Sequence, residues 1–370
     1  MAQNERLTVC YKGKEIGFLS RKDGAIYFSY SSWWLKNGFS ISPRSLPLEE
    51  KAFRAPGFHF DGLFGVFADS LPDGWGTRLA IRLLAKRGIS YERLSPLEKL
   101  AYVGADGLGA LSYVPSHALK NDDWSGEYES LALAAMEFCE KEGSPDLDVL
   151  FAKGGSSGGA RPKAHLRIGG EEWIVKFREK KDPRSIGRME YEYALAAKEC
   201  GIPVPECRLL PSSTCDGYFA SKRFDRIGGR RVHVISLGGL LETPHYVPNL
   251  DYVTFLQATA FISKSMEEML KAYRLACFNI LAHNRDDHSK NFSFLYDEAK
   301  GSYILAPAYD LTYTPSILEH EMSCCGSGNP TESDLLALAQ KTGIPYQKAR
   351  EILNQVKQVV QARLGGWIKD

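Results

Sequence analysis

The chain lacks any real excess of charge: 46 Lys and Arg face 45 Asp and Glu in 370 residues, a formal net charge of +1. A protein that gripped nucleic acid mainly by neutralising phosphates would be more basic. Long hydrophobic runs are missing too, since nowhere do the roughly 18 apolar residues of a membrane span stand together. The opening MAQNERLTVCYKGKE has no basic-then-apolar layout of a secretion leader. Eight cysteines, at 10, 139, 200, 207, 215, 277, 324 and 325, include no C-x-x-C pair. Zinc is therefore not expected, and reduced thiols in a cytoplasmic protein are. The adjacent Cys324-Cys325 reads as small buried side chains rather than a redox pair. No internal repeat or low-complexity tract stands out.

What remains is an ordinary globular composition, 44% hydrophobic and 25% charged, with 34 Gly and 18 Pro. The length suits two or three domains at about 150 residues each. Alternation over 6–12 and 24–29 predicts short strands, and Ser70-Leu71-Pro72-Asp73-Gly74 is turn chemistry opening a helix through Arg78–Arg87. Gly104-Ala105-Asp106-Gly107-Leu108-Gly109-Ala110 matches a dinucleotide fingerprint only loosely. With no strand before it and no helix after, it reads as a loop ahead of the strand Leu111–Val114. Residues 1–116 form a first unit, followed by a polar connector near His117–Gly126.

From Lys153 a Gly-Ser loop leads into a hairpin, Ala164–Ile168 and Glu171–Phe177, turning at Gly169-Gly170. A helix around Met189–Cys200 ends at Gly201, before Pro203 and Pro205. A second hairpin is expected from Tyr218–Phe224 and Arg231–Ser236. Beyond 250 the chain turns mostly helical. Ser265-Met266-Glu267-Glu268 is a capping box, and Met266, Leu270, Tyr273, Cys277 and Ile280 follow at helical spacing as a core stripe. Further helices open at Thr331 and cover about 346–364. Strands first and helices later predict an α+β, two-lobed arrangement.

The informative segment is Asn284-Arg285-Asp286-Asp287-His288-Ser289-Lys290-Asn291, followed by a hairpin, Phe292–Tyr296 and Tyr303–Pro307, and then Tyr309-Asp310. Phosphoryl transfer needs a carboxylate near the attacking hydroxyl, oxygen ligands for Mg²⁺ and cations along the phosphates. Protein kinases meet the first two needs with an Asp, an Asn five positions later and a second Asp beyond a short hairpin. That spacing selects Asp286 rather than Asp287 as base, with Asn291 and Asp310 as metal ligands. Any one of these acids alone would read as a loop residue capping backbone donors. His288 suits a structural or orienting role as well as a nucleotide contact.

Upstream, Gly154-Gly155-Ser156-Ser157-Gly158-Gly159-Ala160-Arg161-Pro162-Lys163 can bring backbone N–H groups to an anion, although it is no Walker loop. By itself such a run is a flexible linker. Lys176, among Trp173, Ile174, Val175 and Phe177, calls for an anionic partner, and the next helix offers Glu190 and Glu192. The alternative is a snorkelling lysine at a sheet edge.

Taken in order, GGARPK, RFDR and DDHSKNFSF, with Ser45-Leu46-Pro47-Leu48 and Leu71-Pro72-Asp73, resemble the HipA-type toxin serine/threonine kinases of bacterial toxin–antitoxin modules, over most of the chain. The resemblance implies a small N-terminal β-rich subdomain (1–116), a kinase-like N-lobe (117–225) and an all-helical C-lobe (226–370). It implies ATP and Mg²⁺ as cofactors, Asp286 as base and Asn291 and Asp310 on the metal. Gly158, Gly159, Ala160, Lys163, Lys176 and His288 would line the nucleotide site, Lys222 to Phe224 would run beside adenine, and Glu192 would pair with Lys176. Ser156 matches the autophosphorylated serine that switches such kinases off, with Ser157 adjacent. Partners would be an aminoacyl-tRNA synthetase as protein substrate and a small helix-turn-helix antitoxin carrying the DNA contact, with no membrane association. Two other readings stay open: a small-molecule kinase of aminoglycoside or lipid type, and a nucleotide-binding scaffold without turnover.

Overall fold

Two-residue turns build the N-terminal sheet. Lys12-Gly13 and Asp23-Gly24 both take positive φ, the combination that matches the twist of a tight hairpin. They join Arg6–Tyr11, Lys14–Lys22 and Ala25–Tyr30, and the antiparallel sheet runs in the order Ala52–Arg54, Ala25–Tyr30, Lys14–Lys22, Arg6–Tyr11, Leu111–Val114. The middle strand escapes the alternation pattern because its register shifts at a bulge opposite Val9 and Cys10. It also buries Ile16 and Gly17 in succession. Gly17 has to be glycine, since a Cβ there would lie 2.1 Å from the Ser29 carbonyl oxygen.

The computed structural model describes residues 5–57, 59–118, 127–140, 147–155 and 158–368. Its mixed α+β chain divides into two compact units. One comprises Met1–Arg184, Leu210–Ile235 and Gly239–Thr243, the other Ser185–Leu209, Ser236–Gly238 and Pro244–Asp370. In the first unit a second sheet pairs Lys163–Ile168, Glu171–Lys176 and Tyr218–Lys222 antiparallel, with Glu171–Lys176 between the other two. Gly169 and Gly170 supply the turn with φ of +61° and +82°. One sheet face carries Ala164, Trp173, Val175, Tyr218 and Ala220 into a core with Trp75, Leu79, Leu83, Leu131, Phe138 and Leu150. These last residues come from the helices Gly74–Lys86, Tyr128–Glu140 and Leu147–Gly154. Burying each such large side chain is worth about 1.5–3 kcal/mol, enough to fix which face looks inward.

The expected pairing of Tyr218–Phe224 with Arg231–Ser236 does not form. Tyr218–Lys222 belongs to the sheet of the preceding hairpin, and Gly228-Gly229 turns only a short ladder, Arg226–Ile227 with Arg230–Arg231. Its arginines are drawn into side-chain bonds described below, so the ladder stops after two pairs.

The second unit packs Ile186–Glu199, Tyr252–Ser263, Met266–Leu281, Glu332–Lys341 and Tyr346–Leu364. It is not all-helical, because Ser293–Asp297 and Ser302–Leu305 form a hairpin within it. Asp297 accepts from the N–H groups of Ala299 and Lys300, and Gly301 takes φ +61°, which closes that turn. Ser265 caps its helix by accepting from Glu268 N, but the box is not reciprocal. Glu268 instead accepts from Leu305 N and Lys271, which docks the hairpin on the helix. The core stripe accordingly begins at Met269, while Met266 is 49% exposed. All eight cysteines are free thiols, and no described helix is long and apolar enough to cross a membrane.

Candidate active site

In the first unit the glycine loop is held by a residue that sequence reading leaves in a turn. Asp73 precedes the helix Gly74–Lys86 yet makes no side-chain cap bond to it. Its carboxylate accepts from Gly159 N instead, while Gly159 O accepts from Trp75 N at 2.9 Å. Gly74 permits the approach: a Cβ would meet Gly159 O at 2.5 Å. Lys163 Nζ folds back onto Gly158 O at 2.5 Å, and Trp75 Nε1 donates to Lys163 O. Gly158 and Ala160 stay exposed. Ser156 and Ser157 lie outside the described residues.

Lys163 stands directly opposite Lys176 across the hairpin, on the face turned away from Trp173 and Val175. Like charges placed opposite one another are unfavourable, and a polyphosphate beside them would offset that cost. Lys176 Nζ lies 5.7 Å from the centre of the Phe219 ring. Lys222, in register with Trp173, projects from the other face and pairs with Glu171, so its ammonium does not join the two lysines. Phe224 is half-buried beyond that strand.

Arg223, Asp225 and Arg226, three members of the RFDR phrase, form a buried clasp. Asp225 is 2% exposed and accepts from Arg223 Nε and Nη2 (2.9 and 2.7 Å), Arg226 Nη1 (2.6 Å) and Gly109 N (2.8 Å). Burial alone would raise its carboxyl, but Arg223, Arg226 and the Gly109 N–H prevail and hold it well below the usual range. Arg226 and Arg231 also donate to the carbonyls of Gly107 and Gly109. The loop that only loosely matched a dinucleotide fingerprint is thus an anchor point between strands. Arg223 Nη1 further contacts His165 Nδ1, and burial followed by the Arg223 charge pushes that imidazole well below its ordinary value.

In the second unit, the chain leaves helix Met266–Leu281 and runs as an irregular loop through Asp286 to Asn291. Asn291 Nδ2 donates to the Asp286 carbonyl at 2.6 Å, which identifies Oδ1 as the amide's acceptor arm. Asp286 keeps about half its side chain exposed (48%), and His288 Nε2 stands 3.8 Å from its Oδ1. Lys290 N donates to His288 Nδ1 at 3.3 Å, and the His245 ring lies 5.2 Å away. His288 is thus a close neighbour of Asp286. Arg285 donates from N to Thr314 Oγ1 and from Nη1 to the Ile317 carbonyl, bracing the segment after Asp310 against this loop.

Asp310 ends the stretch after the hairpin with φ +53°, a conformation Asp tolerates better than most residues. Tyr309 beside it bridges Ser293 Oγ and the Lys290 carbonyl, both at 2.6 Å. Among the described residues no cluster of three or more His, Cys, Asp or Glu could cage a metal ion. One amide and one carboxylate oxygen, Asn291 and Asp310, fit Mg²⁺, which keeps several waters and takes few protein ligands. On the helix Ile186–Glu199, Glu190 is buried and Glu192 half-buried.

Two family models match most of the chain. Residues 155–364 match the HipA-like C-terminal domain and residues 7–114 the HipA N-terminal domain. Y4dM of Sinorhizobium fredii, a protein named there as a candidate kinase, is 25% identical over 313 residues, covering 80% of this chain and 73% of its own. A chain in the solved complex of the Shewanella oneidensis MR-1 toxin–antitoxin system HipA, HipB and its operator DNA has the same fold. Its TM-score is 0.71 at 19% identity, over 97% of this chain and 90% of that one.

Proposed function

This chain belongs to the HipA family, and we propose that it is an ATP-dependent serine/threonine protein kinase acting as the toxin of a toxin–antitoxin module. The carrying observation is the Asn291 amide bonded to the Asp286 carbonyl, with Asp310 following the intervening hairpin. Asp286 is the base that accepts the proton of the attacking hydroxyl. Asn291 and Asp310 would hold Mg²⁺, which would supply charge neutralisation for a triphosphate. Lys163, Lys176 and the backbone at exposed Gly158 and Ala160 receive the phosphates, and Lys222 to Phe224 border adenine. Glu192 supports Lys176. Residues 1–116, 117–225 and 226–370 serve as N-terminal subdomain, N-lobe and C-lobe of a kinase-like, two-lobed fold.

The substrate is a cytoplasmic aminoacyl-tRNA synthetase, modified so that charging stops and translation stalls. A small helix-turn-helix antitoxin carries the DNA contact. The near-neutral charge of this chain supports that division of labour, as does the Shewanella complex, which joins HipA, HipB and operator DNA. Ser156 is the regulatory autophosphorylation site: about two added negative charges beside the phosphate loop would repel ATP.

The test is transfer of labelled phosphate from ATP in a cell extract, comparing wild type with Asp286→Asn, with mass spectrometry of the labelled proteins. Label on a synthetase and on Ser156 with wild type only is the expected outcome. Equal labelling by both proteins would overturn the assignment of the base. Transfer to an aminoglycoside but not to protein would replace this reading with a small-molecule kinase.

A further inference from the structure

Next to the proposed base, Asp287 is fully buried at 0% exposure and collects three donors from two parts of the second unit, the helix Tyr252–Ser263 and the segment around 320–322. Its Oδ2 accepts from the Tyr252 hydroxyl at 2.6 Å and from His320 Nδ1 at 2.7 Å, and its Oδ1 from Met322 N at 3.3 Å. Tyr252 in turn accepts from Asn279 Nδ2, whose own carbonyl oxygen accepts from Asn284 Nδ2. A connected network therefore runs from the helix Met266–Leu281 through the loop to the segment around 320–322.

Packing alone does not call for a carboxylate here. Burying one is costly unless several donors surround it, and an apolar side chain would fill the same volume. What a carboxylate adds is direction, because three donors meeting on two oxygens allow a single orientation. The neighbouring Asp286 is much the more exposed of the two. Its carboxylate is half exposed and approaches His288 only at 3.8 Å. The two residues share a peptide bond, so whatever fixes Asp287 also restrains the backbone from which the Asp286 side chain departs. The clamp reaches the following segment as well: His320 and Met322 flank Glu321, whose N–H donates to the Arg285 carbonyl at 3.1 Å.

We propose that Asp287, clamped by Tyr252, His320 and Met322 N, is the positioning residue that sets the attack geometry of Asp286. The inference rests on the kinase reading above and deepens it. A displacement of about 1 Å at a reacting group can cost on the order of 100-fold in rate without touching affinity. Asp287→Asn keeps the shape but turns an N–H₂ toward donors. His320→Ala removes one donor, whereas His320→Asn restores an N–H near the Nδ1 position.

The measurement is kcat and ATP KM for phosphate transfer, with Mg-ATP affinity by calorimetry and thermal melting on each variant. For Asp287→Asn, kcat should fall about 30- to 100-fold with ATP KM and affinity within about twofold. His320→Ala should fall about 10-fold, and His320→Asn should recover most of that loss. Tyr252→Phe, which deletes only one hydroxyl, carries the test if Asp287→Asn does not fold: kcat lowered with affinity and melting unchanged supports the clamp. Unaltered kcat in Tyr252→Phe and both His320 variants overturns it. So does a loss of rate that merely tracks loss of folded protein. A wild type that transfers no phosphate overturns the kinase reading itself, and this inference with it, whereas an active wild type matched by Asp287→Asn overturns only the clamp.

Discussion

Asn291 Nδ2 donates to the backbone carbonyl of Asp286 across 2.6 Å. The two stand five positions apart, so the bond closes the loop on itself and ties a proposed metal ligand to the proposed base. The amide cannot then rotate freely, and its oxygen is assigned to the ligand role.

Asp310→Asn should separate metal binding from folding. Position 310 takes φ +53°, and Asn tolerates that conformation as readily as Asp. Thermal melting should stay within a few degrees of wild type while Mg²⁺-dependent ATP affinity falls at least about 10-fold. Asp310→Val should melt earlier, since a β-branched residue is costly there, by about 1–2 kcal/mol. Calorimetry with and without Mg²⁺ decides it, and unchanged Mg²⁺ dependence in Asp310→Asn removes the residue from the metal site.

Lys176→Met tests the lysine face of the hairpin. The side chain is half-buried and lies opposite Lys163, so the change also removes a like-charge juxtaposition. ATP KM should rise about 10-fold or more, as a lost charge-assisted phosphate contact implies. An unchanged KM would show that this face does not meet the phosphates.

Asp225→Asn should be among the most damaging single changes in the first unit. It leaves the buried Arg223 and Arg226 with only the more distant Glu172 carboxylate, a loss of about 3–5 kcal/mol at pH 7. The Asp225 carboxyl is depressed in the folded state. Its contribution is therefore present above the unfolded value near 3.9 and fades as pH falls below it. Urea melts at pH 7 and pH 3 should show the gap between wild type and variant narrowing in acid.

Glu242 has the opposite sign. It accepts from Gly65 N at 2.7 Å, and burial outweighs that bond and its Ser45 neighbour to push its carboxyl from 4.5 up to about 7. The fold thus prefers the protonated form, and the associated stability is lost as pH rises from about 4.5 to 7. Glu242→Gln keeps the acceptor but cannot ionise. It should flatten that part of the melting-temperature profile and exceed wild type at pH 8; a slope identical to wild type would count against this assignment.

Much of the fold was legible because its causes are local. Gly169-Gly170 turns the hairpin that begins at Lys163, Gly343 follows the helix opened at Thr331, and the last helix spans Tyr346–Leu364. The strand Lys14–Lys22 was not legible, because a bulge breaks its period. Asp73 read as turn chemistry, although its partner Gly159 is 86 residues away.

Residue order alone determined the Asp286-to-Asn291 spacing, the hairpin after it and the glycine turns, since each depends on dihedral preferences and side-chain period within a dozen residues. Only the tertiary structure decided that Asp287 is buried and clamped, that RFDR is an ion-pair clasp on Gly107 and Gly109, and that Lys222 leaves the lysine face for Glu171. Those outcomes depend on which charges lose water together. That is settled by segments far apart in the chain, and no local pattern records it.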